Sequence, residues 1–390
     1  MVDFYERNPL QQLYSAGQSV WYDNIRRGLI LYGELEAMVA GDAVTGITSN
    51  PSIFHKAVTD SAEYDQAIAD LAREGLSPRE AVDILMAQDI QLAADVLKPV
   101  WEGTHGKDGW VSIEVAPILA HDAAGTVADV ERLAYMTDRP NVLVKVPATM
   151  EGVEAIRTLV GRGACINVTL IFSLERHRQV MEAYIAGLEE LAERIAGGEE
   201  APPLSAVAGV ASFFVSRLDT LVDQKLVAIK AQAESAGDSR RAAEAQRLMG
   251  KTAVACAKLA YQSFLEAFSG PRWEALEAQG AQVQRPLWAS TSTKNPAYRD
   301  VIYVEELIGP HTINTLPQNT LDAFRDHGVV ATTLTDKVEE AEAVMDALAA
   351  LGIDMNVVTA QLEKEGVDAF AESFDALIDS VAAKMEAAGT

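Results

Sequence analysis

Asn141-Val-Leu-Val-Lys-Val-Pro-Ala-Thr149 sets a lysine inside an apolar run. The aliphatic, mostly β-branched residues around Lys145 have the composition of a strand buried on both faces in a parallel sheet. Such a strand has no ordinary use for an ammonium. Desolvation disfavours the charged form of a lysine, and a neutral amine is a nucleophile that condenses with carbonyls to give a Schiff base. From this strand alone the plainer reading is favoured: a lysine at a strand end, its stem packed and its head in water. The segments on either side shift that balance.

Working outward, strands alternate with helices. Ser19 to Ile25 reads as a first strand, ending at Asp23 before an Arg-Arg-Gly helix start, and Val44 to Asn50 as a second, followed by Pro51 in a first helical turn. Trp110 to Val115 is the third, Asn141 to Ala148 the fourth and Cys165 to Phe172 the fifth; Leu204 to Phe214, Arg285 to Ser290 and His311 to Leu316 complete eight. The stretches between them carry helical patterns, among them Ala62 to Glu74, Pro78 to Glu102, Ile118 to Met136, Met150 to Val160 and Leu174 to Ile195. Ser77-Pro78-Arg79-Glu80 has capping-box spacing. Eight such βα units predict an α/β fold, a closed (β/α)₈ barrel, with a doubly wound open sheet as runner-up. The fold needs about 250 residues. The surplus is placed in a helical hairpin over residues 215–284, broken once at Ser235-Ala236-Gly237-Asp238, and in a helical tail over residues 336–390 with a break near Gly352 and Ile353. Residues 1–390 are read as one domain carrying both additions.

Side chains of a barrel strand alternate between the interior and the helix layer, and active sites sit at the C-terminal strand ends. The polar residues fall near those ends. Asp23 closes the first strand; Asn50 closes the second, with Thr48 two residues earlier; Glu114 and Lys145 lie late in the third and fourth. Asn167 and Thr169 share a face of the fifth strand, and Ser212 and Phe214 share a face of the sixth. Singly, Asn50 or Ser212 is better read as a helix cap or a hydrogen-bonded core residue. Together, an amine, two carboxylates, two amides and hydroxyls around one barrel mouth predict carbonyl chemistry on a polyhydroxylated substrate.

Five segments also resemble a known family: Thr45-Gly-Ile-Thr-Ser-Asn-Pro-Ser-Ile-Phe54, Val111-Ser-Ile-Glu-Val115, Val142-Leu-Val-Lys-Val-Pro-Ala-Thr149, Ile166-Asn-Val-Thr-Leu-Ile-Phe-Ser173 and Ala211-Ser-Phe-Phe-Val-Ser-Arg-Leu-Asp219. They are similar to the transaldolases, in the longer actinobacterial and cyanobacterial form. The resemblance runs from about Gln18 to Pro317. It implies a pentose phosphate pathway transferase that moves a dihydroxyacetone unit from sedoheptulose 7-phosphate or fructose 6-phosphate to glyceraldehyde 3-phosphate or erythrose 4-phosphate. By the same resemblance Lys145 is the Schiff-base lysine, Asp23 the acid/base at the sugar hydroxyl, and Glu114 with Thr169 the pair that holds a catalytic water. Asn50, Asn167, Ser212 and Phe214 would contact substrate, and Arg217 would bind phosphate. The chain departs from the shorter enzymes after the seventh strand, where Ala289-Ser-Thr-Ser-Thr-Lys-Asn295 offers Lys294 in place of a second phosphate arginine. Related aldolases carry a tyrosine where Phe214 stands and a glutamine where Glu114 stands, so both positions follow the transferase pattern. A lysine-dependent fructose-6-phosphate aldolase and a non-catalytic sugar-phosphate-binding barrel are the other readings.

Composition bounds the partners. Fifty-seven acidic residues against 32 basic ones give a net charge of −25, which argues against nucleic acid and against an anionic membrane surface. An anionic substrate must then be met by a few local cations. Cys165 and Cys256 are far apart and fit a reducing, cytoplasmic setting, and Met1 to Pro9 lacks the pattern of a leader. No metal and no cofactor is expected. The histidines, including His121, His177 and His311, have no ligand spacing; most read as surface or capping residues, with His311 also placed at the start of the eighth strand. Gly250-Lys251-Thr252 is rejected as a P-loop because its surroundings read as helical. A homo-oligomer is allowed but not specified.

Overall fold

The structure, a computed structural model, describes residues 7–388. The first six residues, including most of the stretch read for a leader, and the last two of the expected tail lie outside them. Eight parallel strands close into a barrel in chain order: β1 (Gln18–Tyr22), β2 (Val44–Ile47), β3 (Trp110–Glu114), β4 (Val142–Pro147), β5 (Ile166–Ile171), β6 (Gly209–Phe214), β7 (Gln284–Ala289) and β8 (Thr312–Leu316). The closed barrel is the one expected, and the open sheet is set aside. Several ends move inward. Asp23 follows β1 rather than ending it, and β2 stops at Ile47 because Asn50 is already the N-cap of helix Pro51–Asp60, its side chain accepting the Ile53 N–H. The early part of the sixth predicted strand is instead a 3₁₀ turn, Leu204–Ala206, and the helix expected from Ile118 is a 3₁₀ turn, Pro117–Leu119, followed by a helix Ala123–Thr137 that Asp122 caps.

Register aligns the polar positions. Glu114 lies opposite Lys145, and Lys145 opposite Asn167, so three neighbouring strands present their polar side chains at one level. β5 is irregular against β6 between Val168 and Ile171, where Leu170 takes φ 61°. This local twist follows directly on Thr169 at the mouth. At the opposite end of the barrel Asp108 accepts hydrogen bonds from Ser19 and from Trp21 Nε1, and Arg285 donates to Ser19 Oγ and to the Thr312 and Lys107 carbonyls. Gly46 on β2 is required there: a Cβ would lie 2.5 Å from the Trp21 ring.

The insertion is not a hairpin. It forms four helices, Ser216–Ser235, Ser239–Leu248, Thr252–Ala267 and Gly270–Glu277, because the chain also turns at Gly250 (φ 71°) and at Phe268-Ser269. The third packs against helix Leu174–Ala196 and so takes the outer-layer place between β6 and β7. The tail has the expected break and forms Val338–Ala350 and Met355–Ala388. The second of these, 34 residues and roughly 50 Å long, lies over helices Pro51–Asp60, Asp65–Arg73 and Pro78–Gly103 and touches the end of β5. Its buried stripe, Val358, Leu362, Gly366, Phe370, Phe374, Leu377 and Val381, recurs at three- and four-residue steps. No single helix among the described residues is long and apolar enough to cross a membrane.

Candidate active site

Lys145 points into the barrel from β4 with its side chain almost fully buried. Its Nζ donates to the Ser49 carbonyl at 3.0 Å and stands 3.5 Å from Glu114 Oε2, within ion-pair range. Burial pushes the Glu114 carboxyl up to about 7, against the opposing pull of the Lys145 charge. Among the described residues, Glu114 Oε2 and Thr169 Oγ1 are both buried without a hydrogen-bond partner. Other buried polar atoms without a partner lie elsewhere in the fold, at Gln284 and Trp288 among others, so it is the closeness of Glu114 to the Lys145 amine that singles it out.

Asp23, just past β1, accepts the Thr48 hydroxyl at 2.8 Å, and Thr48 in turn meets Thr315 Oγ1 at 2.6 Å. Burial raises the Asp23 carboxyl above the usual range, partly offset by the Thr48 bond and the charges of Lys145 and Lys294. Asn167 is held on both sides: its Nδ2 donates to Ser112 Oγ at 3.0 Å and its Oδ1 accepts from Ser212 Oγ at 2.7 Å. Asn50 and Ser212 thus do what the plainer reading asked of them, and both also line the cavity.

The same cavity, of about 190 Å³, is lined by two further cations. Arg217, in the first turn of helix Ser216–Ser235, lies 5.6 Å from the centre of the Phe214 ring. Lys294 donates to Ser292 Oγ at 2.6 Å, and its ammonium is destabilised first by burial and then by the Arg217 charge. Two like charges so placed repel each other until an anion lies between them. Four hydrogen bonds fix this arrangement. On the Arg217 helix, Asp219 accepts from Tyr303 Oη at 2.7 Å and from the Ala253 N–H at 2.8 Å; one turn on, Asp223 accepts from Tyr298 Oη at 2.6 Å and from the Gly250 N–H at 2.9 Å. They join that helix to the segment following Lys294 and to the start of helix Thr252–Ala267.

Of the ten residues singled out in the sequence, Asp23, Asn50, Lys145, Thr169, Ser212, Phe214, Arg217 and Lys294 line one cavity; Glu114 and Asn167 sit beside Lys145, one strand away on either side. The family described as Transaldolase/Fructose-6-phosphate aldolase matches residues 20–381. The chain belongs to that family. It is 48% identical over 381 residues to a protein named Transaldolase from Thermobifida fusca (strain YX), covering 97% of this chain and 99% of that one. It is 46% identical to Transaldolase of Acidothermus cellulolyticus, over 98% of each chain, and 44% identical to Transaldolase 2 of Streptomyces avermitilis, over 97% of each.

For a transaldolase-family barrel, the sequence left several lining residues unmarked. Phe370, from the tail helix, is the most consequential: its ring centre is 5.9 Å from Lys145 Nζ. The apolar spacing of the tail marks a docking face, but nothing local says that the face reaches across the mouth. Ser292 and Thr315, which hold Lys294 and Thr48, were missed as well. Two minor readings need correction. His177 is fully buried rather than at the surface, packed edge-on against Phe213, and burial drives its pKa down to about 4. Gly250 and Lys251 lie in a turn before a helix, not within one, yet the P-loop stays rejected because Asp223 and Asp219 already accept the nearby N–H groups.

Proposed function

We propose that this chain is a transaldolase that carries a dihydroxyacetone unit on Lys145 from a ketose phosphate, sedoheptulose 7-phosphate or fructose 6-phosphate, to an aldose phosphate. The observation that carries the reading is that one small cavity holds the buried Lys145 amine, the Asp23 carboxylate and Arg217 with Lys294. The amine attacks the donor's C2 carbonyl, and loss of water gives an imine, with Glu114 passing protons through a water shared with Thr169. A group with a pKa about 7 suits that exchange. Asp23 takes the proton of the C4 hydroxyl, the C3–C4 bond breaks, and its electrons move into the protonated imine to leave an enamine on Lys145. The aldose phosphate departs. A new aldehyde, gripped at its phosphate by Arg217 and Lys294, is attacked by the enamine carbon, and the steps reverse. The planar guanidinium matches phosphate oxygens and does not titrate.

Borohydride reduction in the presence of fructose 6-phosphate tests the reading. Intact mass and peptide mapping should find a three-carbon adduct on Lys145, and Lys145→Arg should lose both adduct and turnover because a guanidinium cannot form the imine. An adduct on another lysine, or an active Lys145→Arg chain, sinks it. The family also holds fructose-6-phosphate aldolases. Against that reading stand the apolar Phe214 at the wall and an ionisable Glu114 beside the lysine; a chain that releases dihydroxyacetone as fast as it transfers it would favour the aldolase.

A further inference from the structure

We propose that Phe370 on the tail helix determines the outcome of the reaction, transfer rather than release, by standing beside the Lys145 nitrogen and keeping further water, and with it proton donors, from the enamine held there, while the water at Glu114 and Thr169 stays in place. The proposal rests on Lys145 as the covalent residue. Three observations lead to it. Phe370 is 6% exposed, lines the cavity, and presents its ring 5.9 Å from Lys145 Nζ, although 225 positions of sequence separate the two (370 less 145). Phe214, 7% exposed, is the other aromatic ring lining that cavity, so one ring comes from the barrel wall and the other from outside the barrel. The ring is also held in place by its own helix. Gly366 lies one turn before it against Leu170 and Phe172, and Phe374 one turn after it stacks on the Arg79 guanidinium at 4.5 Å.

An enamine on Lys145 is lost in two steps. Its carbon takes a proton to give the imine of dihydroxyacetone; water then adds at the imine carbon, the carbon–nitrogen bond breaks, and dihydroxyacetone leaves with the lysine restored as its ammonium. The first step needs a proton donor at the enamine carbon and belongs to release alone; the second uses the same water at Glu114 and Thr169 that every completed transfer uses. An apolar ring beside the nitrogen limits the entry of further water without displacing the one at Glu114 and Thr169. Transfer is spared because it consumes the enamine by carbon–carbon bond formation before any proton reaches that carbon, and its final imine is hydrolysed by the water at Glu114 and Thr169.

The test uses the full chain with fructose 6-phosphate, measuring free dihydroxyacetone without acceptor, transfer to erythrose 4-phosphate, and the borohydride adduct on Lys145. Phe370→Ala should still form the adduct while its ratio of release to transfer rises about ten-fold. Phe370→Val should move the ratio the same way and replaces the alanine chain if that fails to fold. Phe370→Leu, which keeps an apolar cover, should stay near wild type. Phe374→Ala, which loosens the helix but keeps the ring, should raise the ratio clearly less than Phe370→Ala does. An unchanged ratio in an adduct-forming Phe370→Ala or Phe370→Val chain overturns the proposal. An equal rise in Phe374→Ala overturns it too, since docking of the helix and not the ring would be responsible. A wild type without an adduct on Lys145 fails the reading of that lysine, and the proposal falls with it.

Discussion

Single side chains in this mouth are set against their own solvation, and the energetic consequences are measurable. Arg217 and Lys294 line one cavity in a chain whose net charge is −25, so on the proposed reading a substrate phosphate would depend on them and not on any general field. Arg217→Ala should raise KM for phosphorylated donors far more than for unphosphorylated analogues, by about ten- to a hundred-fold, the roughly 1.5–3 kcal/mol of a lost charge-assisted contact. Lys294→Ala should act in the same direction and less. Equal losses on both substrate classes would make Arg217 structural. Glu114 gives a prediction in pH. Its carboxyl sits at about 7 in the fold against an ordinary 4.5, so the fold binds this proton more tightly than the unfolded chain does. The stability linked to it is fully present below the unfolded value and is lost as pH rises through the folded one. Glu114→Gln abolishes that slope, so melting temperatures should shift in the mutant's favour between about pH 5 and pH 8. Parallel curves for the two proteins would show that Glu114 does not change protonation on folding. Asp23, Glu114 and Lys145 were legible because charged groups on aliphatic strands have few structural uses. Ser292 and Thr315 were not, because a hydroxyl near a strand end has many.

Among the elements, strands were read most securely, since short aliphatic runs bounded by turns have few alternatives in an alternating βα chain. Their ends slipped where a cap took over: Asn50 has to leave the strand in order to accept the Ile53 N–H. The insertion defeated the reading for a different reason. Ala-, Glu- and Lys-rich helix continues by propensity through any single weak residue, and the turns at Gly250 and Phe268-Ser269 are imposed by packing against helix Leu174–Ala196 and the tail. The tail helix offers a test at this scale. A Cβ on Gly366 would lie 2.9 Å from Leu170 Cδ2, close to the irregular end of β5. Gly366→Val should therefore lift the helix, cost about 1–3 kcal/mol and expose it to limited proteolysis ahead of the barrel. A mutant as resistant as wild type would mean that the helix is not seated on β5 in solution.

For the molecule as a whole, barrel, insertion and tail contribute to one buried apolar cluster, from Leu10 through Tyr261 and Phe264 to Phe374 and Val381. Calorimetry should accordingly record one cooperative transition for the full chain, with the additions melting together with the barrel. Two resolved transitions would make one of them an independent unit. The barrel was legible at this scale and the closure of its mouth was not, because the contact between residues 145 and 370 leaves no local trace in either segment. That contact has a consequence for biosynthesis. The ribosome delivers the chain N-terminus first, and domains begin to fold while synthesis continues. All eight strands and the lysine are in hand by Leu316, well before Phe370 is made. For the interval between them the nascent chain has the Lys145 amine without the ring that packs near it, and a message cut short in that interval would encode a barrel whose mouth lacks that side chain.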